Sequence, residues 1–471
     1  MSKFRESSFF SISESICPVC RRILSGKILL KEGKVFLAKR CPEHGHFEAL
    51  LSSDDKYWVN SLSYTKPGQL PLKFSKAFDK GCPEDCGLCE EHEQHTCSPI
   101  IEINNKCDLE CPVCIVWNEN NYEMSFEDFK KIVDGLIEKE GSLELVLLSG
   151  GEPTLHSQFE KFAQYITSKK EIKRVLISSH GLRIAKDEEF AKRFAQLGLY
   201  LSLQFDTLRG DVYEKLRGRD LLADKMKCLE RCEKYKIPTV IVPTIARGYN
   251  EDEVGALANF AFKHDFITSV TFQPMAYTGK GGSSFSVDES LPITQADMHQ
   301  LLATQTDWLK KEDFLPIPCS HPQCYSATYL LKVAEAEFIP LTRFGEINSY
   351  LDAMANRALL DSGGRTAEML QDAVYSLWSA QSITVDSKKV NDSLKNIIKQ
   401  NQASCCALDL QKYNEGKFKA IFIHSFMDEN NFEVSRIRKC CTHYALPDGR
   451  LMPGCSYNNI HRHRDERLKR K

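Results

Sequence analysis

The chain is 471 residues long with 62 Lys+Arg against 64 Asp+Glu, a formal net charge of -2, so it exceeds one ordinary hydrophobic core and offers no global basic field for a phosphate backbone. Nucleic acid is therefore excluded as an expected partner, and no apolar run approaches the ~18 residues of a membrane-spanning helix. The polar opening MSKFRESSFFSISESICPVC lacks a basic-then-apolar leader pattern, so a cytoplasmic location is expected.

Nineteen cysteines need a purpose in a reducing compartment, which does not sustain a disulfide framework. Their grouping at 17/20/41, 82/86/89/97, 107/111/114, 319/324 and 440/441/455 is that of metal ligands. Residues 1–65 read as a small metal-stapled module of rubredoxin or zinc-ribbon type. Cys17-Pro-Val-Cys20 is answered by Cys41-Pro-Glu-His44, and KILLKEGKVFLAKR between them predicts a hairpin turning at Glu32-Gly33. Cys17, Cys20, Cys41 and His44 form a tetrahedral set suited to one zinc or one iron. In residues 66–98, Cys82, Cys86 and Cys89 with Cys97 eight positions further on offer four thiolates for a closed auxiliary 4Fe-4S cluster, with zinc as the alternative.

Over residues 99–285 short branched-residue runs alternate with amphipathic stretches, the pattern of successive βα units on a parallel sheet. The strands are PIIEIN, LELVLLS, RVLISS, YLSLQFD, TVIVPTI and SVTFQP. Helices between them include SFEDFKKIVDGLIEKE, opened by Ser125 as N-cap, and DEEFAKRFAQLG, closed at Gly198. Six units predict an α/β fold, a partial (β/α)6 barrel open on one side, with its chemistry at the C-terminal strand ends. Residues 286–400 read as mainly helical, from ITQADMHQLLATQTDWL and TAEMLQDAVYSLWSAQ, interrupted by a loop at Pro316-Ile-Pro318-Cys319. Residues 401–471 return to strand-like pieces such as KAIFIHSF and a cysteine-rich segment.

The chemistry concentrates after the first two barrel strands. In IIEINNKCDLECPVC, Cys107, Cys111 and Cys114 can hold three irons of a cubane and leave the fourth open; a zinc site or a plain ferredoxin-type cluster uses similar intervals. The second strand ends in Ser149-Gly150-Gly151-Glu152-Pro153, where glycines permit a close backbone approach to a ligand. CxxxCxxC after strand one with GGEP after strand two resembles the radical S-adenosylmethionine (SAM) superfamily. Val113 departs from it, since the superfamily usually has an aromatic before the third cysteine.

The resemblance implies that Cys107, Cys111 and Cys114 hold the catalytic 4Fe-4S cluster and that the open iron chelates SAM. It also implies that Gly150, Gly151, Glu152 and Pro153 bind the cofactor's amino group, and that Ser178, Ser179, Gln204 and Asp206 contact its ribose and carboxylate. Turn capping is the alternative role for Ser179 and Asp206. A reduced ferredoxin or flavodoxin is the implied electron donor.

A second auxiliary 4Fe-4S cluster, three in all, is expected from Cys319, Cys324, Cys441 and Cys455, with Cys440 competing for the place of Cys441. Cys405 and Cys406 are spares, and Cys228 and Cys232, four apart on a helix, are packed thiols. The terminal motifs CPVC, CPEHG, DKGCPEDCGLCEEHEQHTC and HSFMDENNFEVSRIRKCC resemble the archaeal tetraether lipid synthase family and its bacterial relatives. That resemblance implies joining of two glycerolipid tails, with a lipid substrate and peripheral contact at the inner membrane face. Radical methylation or modification of a small heterocycle such as a pterin precursor is the alternative. A deep apolar tunnel distinguishes the first, and a small pocket with convergent polar groups the second.

Overall fold

In the computed structural model the described residues are 7–117, 121–285, 292–335, 337–344, 347–357, 385–403 and 416–468. The TAEMLQDAVYSLWSAQ segment, Cys405 and Cys406 fall outside them. Four antiparallel strands open the chain: β1 (Ser8–Ile16), β2 (Ile23–Lys31), β3 (Lys34–Cys41) and β4 (Gly45–Ser52). The β2–β3 turn is at Glu32-Gly33, both with positive φ (52° and 75°), a conformation that glycine adopts at no steric cost.

The barrel strands follow in order: β5 (Ser98–Asn104), β6 (Val146–Gly150), β7 (Val175–Ser179), β8 (Tyr200–Gln204), β9 (Thr239–Val242), the short β10 (Thr244–Ile245) and β11 (Ile267–Pro274). Apart from β10, which pairs with the far end of β11, they form one parallel array in chain order. Helices cover the outer face. Ser125 Oγ accepts from Asp128 N to start the helix Phe126–Glu140, and Gly141 (φ 75°) ends it. Its Phe129 packs on Phe162 of the next helix with ring centroids 4.3 Å apart, inside a core that continues through Ile177, Leu201 and Val270.

The region after residue 286 adds strands to the expected helices. It contains helices Gln295–Gln305, Ile347–Met354 and Val385–Ala403, as expected, but also β12 (Leu315–Pro316), the ten-residue β13 (Tyr325–Ala334) and β14 (Glu337–Pro340). YSATYLLKVA is buried on both faces over most of its length, so it shows no alternation to mark it as a strand. Beyond it lie β15 (Phe418–His424), β16 (Thr442–Ala445) and β17 (Leu451–Pro453).

β15 adds parallel to β11 and β16 adds parallel to β5, so the parallel array grows by one strand at each edge. β13 then pairs antiparallel with β15. The sheet curls until Tyr325 Oη on β13 stands 3.1 Å from Thr442 Oγ1 on β16. The expected open side of the barrel is thus a seam bridged by side chains, with no backbone pairing of β13 to β16.

The N-terminal module is docked on this seam region. Lys39 is 2% exposed, and its Nζ donates to Ser15 Oγ and to the carbonyls of Glu429 (2.9 Å) and Asn430 (2.7 Å). Ser15 Oγ donates to Phe432 O at 2.5 Å. A buried ammonium needs acceptors on every side, so Lys39 fixes the module against residues 427–433. No helix of the described residues is long and apolar enough to cross a membrane.

Candidate radical site and its cysteine groups

Cys107, Cys111 and Cys114 sit on the loop leaving β5 and line one cavity of about 170 Å³ together with Gly150, Gly151, Glu152, Ser178, Ser179 and Gln204. The loop is anchored through its backbone: Gly151 N donates to Asn104 O (3.1 Å) and Glu152 N to Lys106 O (2.6 Å). A Cβ on Gly150 would stand 2.2 Å from Asn104 O, and one on Gly151 2.3 Å from Lys106 O. The glycines therefore admit the cysteine loop itself, a tighter constraint than approach to a ligand.

Glu152 is buried and already saturated. Its Oε1 accepts from Thr154 N (3.1 Å), Thr154 Oγ1 (2.6 Å) and Ser179 Oγ (2.9 Å), and its Oε2 accepts from His180 N (2.9 Å). Glu152 and Ser179 hence act as a brace between β6 and β7. Ser178 and Gln204 keep their place on the cavity wall.

Asp206 corrects the expectation of a cofactor contact. It is fully buried, accepts two bonds from Arg217 (2.7 Å each) and one from Thr244 N (2.9 Å), and does not line the cavity; neither does Pro153. The helix Gly210–Arg217 carries Arg217 over the strand end to meet it. Arg217 itself lines the cavity, and turning the Gln204 carboxamide so that its oxygen faces the guanidinium brings that oxygen 2.6 and 2.9 Å from the terminal nitrogens. Burial alone would weaken its protonation, but the Asp206 carboxylate more than offsets this.

Arg217, Lys280, Glu110 and His180 are wall residues that sequence reading missed. His180 Nε2 lies 2.6 Å from Asp108 Oδ1, and in the chain these residues stand among ordinary polar loops with no spacing signal. Burial pushes the Cys107 thiol up to about 12, so iron binding there must displace its proton. Three converging sulfurs, one shared cavity and polar groups beyond them fit a cluster with an open iron and a polar chelating cofactor.

The remaining ligand sets group differently from their order in the chain. In the N-terminal module the four ligand atoms of Cys17, Cys20, Cys41 and His44 all lie within 4.8 Å of one another, with His44 Nδ1 3.4 Å from Cys41 Sγ and 3.6 Å from Cys17 Sγ. That arrangement fits one tetrahedral ion. Cys82, Cys86 and Cys89 line one small cavity.

Cys97 is not on that cavity. Its thiol faces those of Cys319 and Cys441, because Cys97 N and Ser98 N both donate to Cys441 O (3.0 Å each) where β16 joins β5. The bond from Cys97 holds the Cys319 thiol down at about 7. His95, backed by Glu140 at 3.3 Å, lies 3.5 Å from Cys97 Sγ. Cys324 Sγ is 3.2 Å from Arg436 Nε and shares that charge with Cys455, while Cys440 feels Cys441, Cys455 and Cys324. Cys228 and Cys232 are buried in the main core.

A second cavity, of about 270 Å³, runs along the barrel interior. Ser178 and Gln204 form its boundary with the first, Thr244, Thr271, Gln273 and His424 line its walls, and Cys97 and Cys441 lie at the opposite, N-terminal strand ends. Leu147, Val242 and Phe422 supply apolar wall between the polar groups.

Fold and site together are those of a radical SAM enzyme, and the radical SAM superfamily model matches residues 101–261. The model of the HMPTM N-terminal zinc ribbon domain matches residues 9–53. Over 95% of this chain and 93% of the relative, the sequence is 30% identical to 7,8-dihydro-6-hydroxymethylpterin dimethyltransferase of Methanocaldococcus jannaschii, and the chain belongs to that protein's family. Fe-coproporphyrin III synthase of Methanosarcina barkeri is 28% identical over 41% of this chain and 48% of the relative. Among solved structures, Streptococcus suis SuiB bound to S-adenosylmethionine aligns over 45% of this chain and 48% of that chain at 16% identity and a TM-score of 0.38.

Proposed function

We propose that the chain is a radical SAM enzyme that alkylates a small nitrogen heterocycle of pterin type, with methyl transfer as the reaction class. The observation that carries this reading is the likeness, over 95% of the chain, to a protein named as a hydroxymethylpterin dimethyltransferase. The barrel cavity supports it: Gln204, Thr244, Thr271, Gln273 and His424 present hydrogen-bonding groups around its wall, as a polar heterocycle needs and an alkyl tail does not. The tetraether-lipid expectation finds no such support. It implied a long apolar tunnel, whereas the cavity of about 270 Å³ intersperses polar side chains such as Ser202, Thr271 and Gln273 among apolar wall residues such as Leu176, Val240 and Phe422.

Cys107, Cys111 and Cys114 would hold the cluster with SAM at its open iron, and these groups when bound would supply the chemistry for abstracting hydrogen from an unactivated carbon. Arg217 and Gln204 present fixed donors at the wall, Glu152 holds the loop in register with β7, and the junction at Ser178 and Gln204 positions a substrate bound in the barrel beside the cofactor. The auxiliary cysteine groups, a reduced ferredoxin or flavodoxin as donor, and zinc or iron in the N-terminal module complete the proposal.

The test is anaerobic turnover with SAM carrying a labelled methyl group, a reductant, and either hydroxymethyl-dihydropterin or glycerolipid, followed by mass spectrometry. A pterin gaining methyl mass with 5'-deoxyadenosine formed alongside is the expected result. Joined lipid tails with an unchanged pterin would replace this reading by the lipid one.

A further inference from the structure

Cys82, Cys86 and Cys89 share a small cavity, and among the described residues no fourth sulfur lines it. Cys97 is committed to Cys319 and Cys441. Cys440, carried close by in the chain fold, turns its Sγ toward Thr442 O at 3.2 Å. The two carboxylate residues lining the cavity are also engaged. Asp85 accepts from the backbone of Asp79 and Gly81 (2.8 Å each) and from that of Lys80, and it pairs with Lys76 at 3.0 Å; Glu91 pairs with Arg438 at 3.6 Å.

His92 remains. It follows Cys89 by three positions in CPEDCGLCEEH, is 5% exposed, and lines the same cavity. Its backbone N donates to Cys89 O at 2.9 Å, which turns the chain back toward the thiols.

The imidazole's orientation is fixed from behind. Its Nε2 lies 2.8 Å from Cys440 O, and a carbonyl only accepts, so Nε2 carries the proton. The same nitrogen lies 3.1 Å from His443 Nε2, and His443 Nδ1 is 3.0 Å from Thr96 Oγ1, which fixes the second ring. Nδ1 of His92 is therefore the bare lone pair, and it has no hydrogen bond among the described residues. A ring that donates one N–H to a backbone carbonyl and keeps the other nitrogen bare is how histidine is presented to a metal.

We infer that His92 Nδ1 is the fourth ligand of an iron-sulfur cluster held by Cys82, Cys86 and Cys89. A neutral imidazole in place of a thiolate leaves the cluster one charge less negative and raises its reduction potential above that of a four-thiolate site. The cluster would then accept electrons more readily than a set bound by sulfur alone.

The test is pulsed EPR of the anaerobically reconstituted, reduced full-length protein, without SAM and grown with 15N-histidine. Wild type shows a histidine nitrogen hyperfine coupling, and His44→Cys in the N-terminal module leaves it in place. His92→Cys, which keeps four ligands and protects the fold, retains iron and sulfide content, loses the coupling, and shifts one reduction wave to lower potential. A coupling that survives in His92→Cys, or is missing from wild type because the site takes zinc or only sulfur ligands, overturns the assignment.

Discussion

Replacing Asp206 by Asn tests whether the buried pair behind the radical site holds the catalytic loop together. The two contacts are 2.7 Å each and the side chains are 0% and 3% exposed, so solvent screens neither charge. Removing one partner of such a pair costs about 3–5 kcal/mol, chiefly because the other charge is left buried and uncompensated. Asn retains one acceptor, and Arg217 keeps Thr244 Oγ1 at 3.1 Å, which puts the expected loss at the lower end, about 3 kcal/mol. That corresponds to a fall of roughly 100-fold in the folded-to-unfolded ratio. Urea unfolding of the metal-free chain followed by circular dichroism measures it. The double variant Asp206→Asn with Arg217→Met should recover part of the loss, since the orphan charge is gone. A single variant within about 0.5 kcal/mol of wild type, or a double variant worse than the sum of its parts, refutes the reasoning.

Cys107→Ala, Cys111→Ala and Cys114→Ala should each abolish 5'-deoxyadenosine formation measured by chromatography; cleavage surviving in all three would displace the radical site. Cys97→Ala should disturb the Cys319 and Cys441 group while leaving the Cys82, Cys86 and Cys89 cluster and its histidine coupling intact, and loss of that coupling would return Cys97 to the upstream set. Burial raises the thiols of Cys82 and Cys107 to about 12 each, above the ordinary 9.0. Their contribution to the metal-free fold is then fully present below pH ~9 and lost as pH rises toward ~12, because the unfolded chain ionises first. Denaturant midpoints falling across that window are expected, as is faster cluster reconstitution with rising pH over the range where the protein stays folded; a flat profile in both would contradict buried, protonated thiols.

The six barrel strands, the cysteine loop and GGEP were legible because each carries a local signal: branched runs for a parallel sheet, and spacing for a cluster. What escaped were relations between distant segments. Arg217 reads as part of a basic helix end, LRGR, and only the fold carries it to Asp206. Cys97 looks like the fourth member of the set before it, yet the pairing of β16 with β5 assigns it to Cys441. β13 lacked alternation because both of its faces are covered, and Lys39 gave no hint that its ammonium would be buried between two modules. The lipid-family likeness rested on terminal motifs, whereas the likeness to the pterin dimethyltransferase extends over 95% of the chain.

The seam sets an order of manufacture. The strands that carry the radical loop and its cofactor wall, β5 to β11, are complete once residue 274 has left the ribosome, and they can pair as they emerge. The outer edge of β5 has no partner until Thr442 arrives, more than 300 residues later, and the Cys97 thiol waits for Cys441 over the same interval. During that time the nascent chain presents an unpaired strand edge beside a half-built metal site, a combination that invites both wrong strand pairing and premature iron capture. A chain stopped just before residue 441 should therefore keep its radical loop but aggregate through β5, and supplying residues 416–471 as a separate piece during refolding should suppress that aggregation by capping the same edge.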